Sequence, residues 1–412
     1  MLKPHIVILG AGFGGMYVAK ALAPYVKRGK IDVTIVNRTN YFLFTPLLHE
    51  VATGGLTASS VAEPLREIFK NTGIDMCQGE VEGIHTEDRR VTVSGATLHY
   101  DYLVIATGAG TNYYNIPGAE KFTYPLKTIA DAERIRAVVI ESFEKAAYDL
   151  DPEVRLRQLS FAVVGGGATG VEVAAELAEF IEGIVERYYQ HTNRCKPEEP
   201  AISLVNATKE LLELFPPSLR EAASERLKSK GVSIHNNSIV TSVTQNGLVM
   251  ANNTTIPANT IIWAAGVKPM VPHFENISPI LAKGGRLEVD PFFRLTDQDR
   301  VFALGDVAGA NPPVPMLAQA AVSEARVIAA NVVASVRGKK LKAFSFKTKG
   351  SMVSVGQWFA IGEIYSLHIA GRFTWWLWRT VYLFKFASWK KRVRIVIDWT
   401  LDIFYPRDIT VK

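Results

Sequence analysis

A strand, a glycine-rich turn and a helix follow one another twice in this chain, and no other feature narrows its possible folds as far. The first copy is Ile6-Val-Ile-Leu-Gly10-Ala-Gly12-Phe-Gly14-Gly15, and the second runs from Phe161 through Gly165-Gly-Gly167-Ala-Thr-Gly170 to Leu177. Phe161 to Val164 is an apolar run of the kind that forms a strand covered on both faces. In the spacing Gly165-x-Gly167-x-x-Gly170 the first glycine makes the tight turn and the second lets backbone approach a pyrophosphate. The third lets helix pack against strand. A diphosphate is then held by N–H groups at the helix N-terminus. Two complete fingerprints predict an α/β chain with two Rossmann-like dinucleotide-binding domains, and therefore two bound nucleotides.

The remaining strands order these domains. Ile31 to Val36 reads as the second strand of the first unit and Ile202 to Asn206 as that of the second. In each, an asparagine (Asn37, Asn206) stands where an acid usually takes ribose hydroxyls. An amide can still bond to ribose, but without an acid to repel a 2′-phosphate the choice between NADH and NADPH stays open. Tyr100 to Thr107-Gly108 and Thr260 to Gly266 are strands ending in small residues, where a chain comes close to a nucleotide or crosses between domains. Val301 to Gly309 contains Gly305-Asp306 and precedes a predicted helix from about Ala318 to Val336. That return to a Gly-Asp turn implies that the chain re-enters the first domain, so that the second is inserted in it. The expected limits are 1–115 and 290–345 for the first domain, 116–289 for the second and 346–412 for a C-terminal region. Val61 to Phe69 reads as a helix and Asp151 to Gln158 as a polar linker.

At 412 residues, with 48% hydrophobic and 21% charged residues, the chain suits a folded protein of two or three domains. Cys77 and Cys195 form no CxxC, and no histidines stand at metal spacing, so neither a disulfide scaffold nor a metal site is expected. His49 and the other histidines read as ordinary polar residues. Met1 leads directly into the first strand with no signal-peptide pattern, so the protein is expected to stay on the side where it is made.

The net charge of +6 is concentrated near the C-terminus, where seven Lys or Arg and no acid lie between Arg372 and Arg394. Eleven aromatics lie between Ala370 and Tyr405, including five of the seven tryptophans. Charges interrupt every apolar run, so no segment reaches the roughly 18 residues that a spanning helix needs. Aromatics mixed with basic residues describe an amphipathic segment lying in a membrane interface, on anionic lipid, with Arg372, Arg379 and Lys390 on one face. A dimer interface or a core helix would use the same tryptophans.

The order of these motifs resembles the two-dinucleotide flavoproteins, and within them the type II NADH:quinone oxidoreductases, the single-chain NADH dehydrogenases that do not pump protons. The resemblance covers nearly the whole chain. It rests on Gly10 to Gly15, Leu47-Leu-His-Glu-Val-Ala-Thr-Gly54, Tyr102 to Gly108, Gly165 to Leu177, Trp263-Ala-Ala-Gly266, Leu304-Gly-Asp-Val307, Ala318-Gln-Ala-Ala321 and the tryptophan-rich tail. It implies FAD in the first domain, with Gly10, Gly12, Gly14 and Gly15 at the diphosphate, Asn37 at the ribose and Thr107, Gly108, Gly305 and Asp306 nearby. It implies NADH, or NADPH, in the second at Gly165, Gly167, Gly170, Asn206 and Gly266. Gln319 would lie beside the flavin at the quinone end and Lys349 near the isoalloxazine.

Glu172 matches the active-site glutamate of that family. A helix dipole lowers a carboxyl's pKa there while burial raises it, and the sequence does not decide between them. Gln319 could equally bond along its own helix, and Lys349 could belong to the basic face of Lys339, Lys340, Lys342 and Lys347. The implied reaction is hydride transfer from NADH to flavin, then two electrons and two protons to a membrane quinone, on the cytoplasmic face of the inner membrane. A sulfide:quinone reductase would need redox cysteines, and Cys77 and Cys195 lie at no such motif. A membrane-docked flavoprotein that senses redox state without turnover is the non-enzymatic alternative.

Overall fold

A computed structural model describes residues 3–189, 196, 198–386 and 388–411; Cys195 lies outside the described residues. The chain forms two compact units, each built from three segments. Met1–Leu43, Ala62–Gly110 and Val267–Thr348 make one; Phe44–Val61, Thr111–Gly266 and Lys349–Lys412 make the other.

In the first unit five parallel strands lie in the order Val301–Ala303, Tyr102–Ile105, His5–Leu9, Asp32–Asn37, Asp75–Gln78. The return of Val301–Ala303 beside Tyr102–Ile105 is the re-entry that the Gly-Asp turn predicts. Ile6, Val7, Ile8 and Leu9 are fully buried, as expected of a strand covered on both faces. The helices Phe13–Lys27 and Ala318–Val336 pack against each other on this unit. The predicted helix at Val61 is instead a short strand, Ala62–Pro64, followed by one helical turn, Leu65–Ile68. Pro64 removes the N–H that a continuous helix would need there.

The second unit repeats the parallel design, in the order Tyr124–Pro125, Thr260–Trp263, Ser160–Val164, Ala201–Val205, Val232–His235. The helix Ile129–Tyr148 starts at a capping box in which Thr128 and Asp131 satisfy each other's backbone N–H groups. The expected linker after it is a further helix, Pro152–Gln158, because Asp151 caps its first turn and Pro152 fits the first helical position. The C-terminal segment adds three antiparallel strands, Ser351–Ser354, Ala360–Ile364 and Leu367–Gly371, and two helices, Arg372–Leu383 and Trp389–Phe404. Among the described residues no helix is long and apolar enough to cross a membrane.

Candidate active site

Each glycine turn is closed backbone to backbone. Gly10 has φ +97°, and a Cβ placed there would lie 2.4 Å from the Ala106 carbonyl oxygen, where the strand before Thr107 ends. A Cβ on Gly15 would lie 1.9 Å from the Gly10 carbonyl oxygen, so any side chain would pry the helix off the turn. At Gly12 and at Gly108 a Cβ would meet nothing within 4 Å. The helix after Gly12 starts without a side-chain cap, so its donors face that open side. This arrangement fits a diphosphate: crowded where helix meets strand, open where the N–H groups point. Asn37 secures the rim, its Oδ1 accepting from Ala11 N–H at 3.0 Å and its amide donating to Thr39.

The rest of the first cradle is built from the other side of the sheet. Gly305 donates its N–H to Glu324 Oε2 at 2.6 Å, which positions Asp306. Burial raises the Glu324 carboxyl to about 7, and Asp306 adds to this, although the Gly305 bond opposes it. The sequence reading missed Glu324; a lone acid on the apolar helix Ala318–Val336 was the available signal. Gln319 stands in the first turn of that helix with its Nε2 3.1 Å from Thr348 Oγ1, and Thr107 Oγ1 donates to Met270 O at 2.6 Å.

The second cradle repeats these distances. Gly165 has φ +120°, a Cβ there would lie 2.4 Å from Ala264 O, and one on Gly170 would lie 1.8 Å from Gly165 O. At Gly167 a Cβ would meet nothing within 4 Å, and Gly266 lies against the Tyr114 hydroxyl. Asn206 is buried, and its Nδ2 stands 3.0 to 3.1 Å from four acceptors on Thr208, Glu210 and Asn236. That amide is committed to the protein.

Beyond Gly170 the second helix differs in kind from the first. Ala168–Ile184 buries Glu172 and Glu176, one turn apart on the same face. Glu172 Oε1 lies 3.4 Å from Ser354 N–H and Oε2 lies 3.8 Å from His49 Nδ1. Burial raises the Glu172 carboxyl well above the usual range, with Glu50 and Glu176 adding to the shift and the Ser354 N–H opposing it. The dipole loses because Glu172 sits past the first turn, where the dipole's influence has faded.

Glu172 thereby joins a buried ionic cluster that the sequence reading did not foresee. The short helix Leu48–Ala52 carries His49 and Glu50, each 3% exposed. His49 is therefore not the ordinary polar residue expected from the sequence: burial lowers its imidazole to about 4, despite the opposing pull of Glu176, so it is neutral. Glu50 Oε2 accepts from Trp399 Nε1 at 2.7 Å, and burial raises this carboxyl to about 7 against the attraction of Arg379. Burial alone would raise Glu176 as well, but Arg407, 2.8 Å away, outweighs it and holds that carboxyl low. Arg407 also reaches Asp402 Oδ1 at 2.9 Å, and Gln357 donates to the other Asp402 oxygen.

The tail consequently has two characters. Trp375, Trp378 and Trp399 are buried, and Arg379, expected with Arg372 and Lys390 on a face toward anionic lipid, is buried too, 3.9 Å over the Trp375 ring and 4.6 Å over that of Trp399. Buried carboxylates and two aromatic faces replace the water it gives up. Trp376 and Trp389 remain exposed, with Phe373, Phe384, Val396, Ile397 and Phe404. Lys349 is exposed at the start of this segment; partial burial lowers the ammonium of Lys385, and the Lys349 charge adds to it. Gln319 belongs to the first unit and Glu172 and Lys349 to the second. Cys77 is a free thiol on the strand Asp75–Gln78, and among the described residues no group of side chains could hold a metal ion.

Comparison with known proteins accounts for the whole chain. Residues 4–325 match the model of the pyridine nucleotide-disulphide oxidoreductases, and residues 348–408 match the NDH2 C-terminal domain. The chain is 30% identical to the type II NADH:quinone oxidoreductase Ndh of Mycobacterium tuberculosis over 98% of its own length and 89% of that protein's. The structure of NDH2 from Plasmodium falciparum in complex with NADH superposes with a TM-score of 0.89 at 25% identity, covering 99% of this chain and 100% of the other. The sulfide:quinone oxidoreductase of Aquifex aeolicus, 18% identical with a TM-score of 0.74 over 98% of this chain and 96% of its own, shares the fold.

Proposed function

Since this chain belongs to the pyridine nucleotide-disulphide oxidoreductases and, within them, to the type II NADH:quinone oxidoreductases, we propose that it oxidises NADH and reduces a membrane quinone through FAD, and that Glu172 supplies a proton to the quinone. The observation that carries the role of Glu172 is its place: a buried carboxyl, 3.8 Å from His49 and pushed well above the usual carboxylate range by burial, on the helix that begins at the second glycine turn. FAD, when bound, supplies a centre that takes a hydride and passes on two electrons.

The chain's own residues supply binding, orientation and protons. In this reading Gly10, Gly12, Gly14 and Gly15 receive the FAD diphosphate, with Thr107, Gly108, Gly305 and Asp306 on the flavin side. Gly165, Gly167, Gly170 and Gly266 shape the NADH cradle. Asn37 and Asn206 hold the flanking loops in place, which leaves the 2′-position of the second nucleotide ungripped by an acid. Gln319 and Lys349 orient the acceptor end. The domains assigned from the sequence keep these roles, the first for FAD and the second for NADH.

In this reading the protein is peripheral on the cytoplasmic face of the inner membrane, and the exposed apolar and basic side chains of Arg372–Leu383 and Trp389–Phe404 support contact with a lipid surface. Lys390 and Arg394 stand exposed among Trp389, Val393 and Ile397, the mixture that anionic lipid favours. Sedimentation with vesicles checks this: binding that rises with anionic lipid supports it, and self-association without lipid binding would assign the face to a homodimer.

The reaction is tested by mixing the detergent-purified protein anaerobically with NADH or NADPH and then adding a short-chain quinone. Bleaching of the flavin by NADH and recovery on quinone are expected. Bleaching without recovery would assign another acceptor, and no bleaching would favour a non-catalytic flavoprotein.

A further inference from the structure

The cluster around Glu172 holds more carboxyls than its cations can balance. Glu50, Glu172, Glu176 and Asp402 face only two guanidiniums, Arg379 and Arg407, among the described residues. Glu179, the next acid on the same helix, has its own partner in Lys230. His49 is a neutral ring, 3% exposed, with Nδ1 3.8 Å from Glu172 and Nε2 without a hydrogen-bond partner among the described residues. Arg407 is shared by Glu176 and Asp402 at 2.8 and 2.9 Å. Buried charge without a counter-charge is expensive, so two of the four carboxyls must carry protons. Geometry selects them, because among the described residues neither Glu50 nor Glu172 has a guanidinium within salt-bridge distance.

We propose that Glu50 is a second proton-holding carboxyl, which reloads Glu172 after Glu172 has given its proton to the quinone. This rests on the role assigned to Glu172 above. Everything that faces Glu50 fits the task. From the helix Ala168–Ile184 come Glu172 and Glu176, from Arg372–Leu383 comes Arg379, and from Trp389–Phe404 come Asp402 and the Trp399 indole. The acids favour keeping the proton, while Arg379 and Trp399 stabilise the carboxylate once it leaves; a carrier needs both states within reach.

The balance is NADH + H⁺ + quinone → NAD⁺ + quinol. The hydride brings two electrons and one of the quinol protons. The other comes from Glu172, whose O–H bond breaks as the quinone O–H forms. Glu50 then transfers its proton to the Glu172 carboxylate, and water reloads Glu50. One proton thus enters from solvent per NADH oxidised. A cavity of about 310 Å³, with exposed Glu182, Glu186 and Arg187 and with Asp402 and Arg407 in its lining, reaches this cluster and offers the entry.

The test uses the full-length FAD-loaded enzyme and the E50Q, E172Q and W399F variants. Infrared titration of the resting protein should show two carboxyls that titrate near 7 in the wild type, those of Glu50 and Glu324, and only that of Glu324 in E50Q. In W399F the Glu50 carboxyl remains but should titrate higher, which provides a reading even if E50Q folds poorly. In stopped flow, E50Q should slow repeated quinone reduction at and below neutral pH, where Glu50 holds its proton, by about tenfold or more, with a larger solvent deuterium effect, while NADH bleaches the flavin at the wild-type rate. If E172Q is slow and E50Q keeps the wild-type pH profile and carboxyl signal, Glu50 is no carrier and this proposal fails alone. If E172Q itself reduces quinone at the wild-type rate, the role of Glu172 falls and this inference with it. Equal slowing of both half-reactions in E50Q, with its carboxyl signal unchanged, would make Glu50 structural and also overturn the proposal.

Discussion

The two glycine turns are nearly superimposable in their constraints, yet the helices that leave them do different work. A Cβ would come within 1.9 Å of the Gly10 oxygen in one and 1.8 Å of the Gly165 oxygen in the other. The helix Phe13–Lys27 then buries only glycines and apolar side chains, whereas Ala168–Ile184 buries Glu172 and Glu176. The lesson is that a dinucleotide cradle needs only backbone. In the function proposed here, acid–base chemistry is added by what the following turn of helix faces, namely His49, Glu50, Arg407 and the tail.

Breaking each turn should separate the two roles with the largest effect. G15V should yield protein without flavin, because the new side chain meets carbonyl oxygen and the helix must shift; absorbance of the purified protein reads this out. G170V should keep flavin but lose NADH bleaching by about 100-fold or more, since displacement of the cradle by about 1 Å is enough. If G170V also loses its flavin, the two cradles are not independent.

Next in size is E172Q. It should slow quinone reduction by about 10²- to 10⁴-fold while leaving NADH bleaching in place, the range that a lost general acid produces. The counterpart of Glu172 on the first helix, Tyr17, is half-buried and carries no acid, and its buried neighbour is Val18, so V18A should change stability and leave the quinone half-reaction untouched. Stopped-flow separation of the half-reactions distinguishes the two.

Removing a cation tests the cluster as a structure. R407M leaves Glu176 and Asp402 buried without their partner, and should destabilise the protein by about 3 to 5 kcal/mol. Denaturant titration measures it, and a loss under 1 kcal/mol would show that the second helix does not depend on its charges.

The smallest effect is a pH dependence. Glu50 rises from 4.5 to about 7 on folding, so the folded state binds the proton more tightly than the unfolded chain. The penalty is absent below the unfolded value, grows as pH climbs from about 4.5 to about 7 and is constant above; its full size is about 3 kcal/mol. E50Q removes it, so the stability of E50Q relative to the wild type should rise across that window and then level off. Parallel curves from pH 5 to 8 would contradict the raised carboxyl.

Both turns, their strands and the helix Ala318–Val336 were legible in the sequence, because local rules settle them. Glycine is demanded where backbone touches backbone, and apolar runs mark strands covered on both faces. Pro152–Gln158 was missed because its cap, Asp151, sits in a stretch polar enough to pass for a linker. The tail was half legible: its aromatics and charges were countable, but which of them face inward was not. Arg379 and Trp399 are buried because acids distant in sequence, Glu50 and Glu176, lie beside them.

The amino-acid sequence by itself thus determined the two nucleotide cradles, their order and the family, since each depends on residues within a few positions of one another. Tertiary structure alone decided the protonation chemistry. Whether a carboxyl is kept neutral depends on burial and on partners brought from elsewhere in the chain, and His49, Glu50, Glu172, Glu176, Arg379, Asp402 and Arg407 come together only when Leu48–Ala52, Ala168–Ile184 and the C-terminal helices pack in one unit.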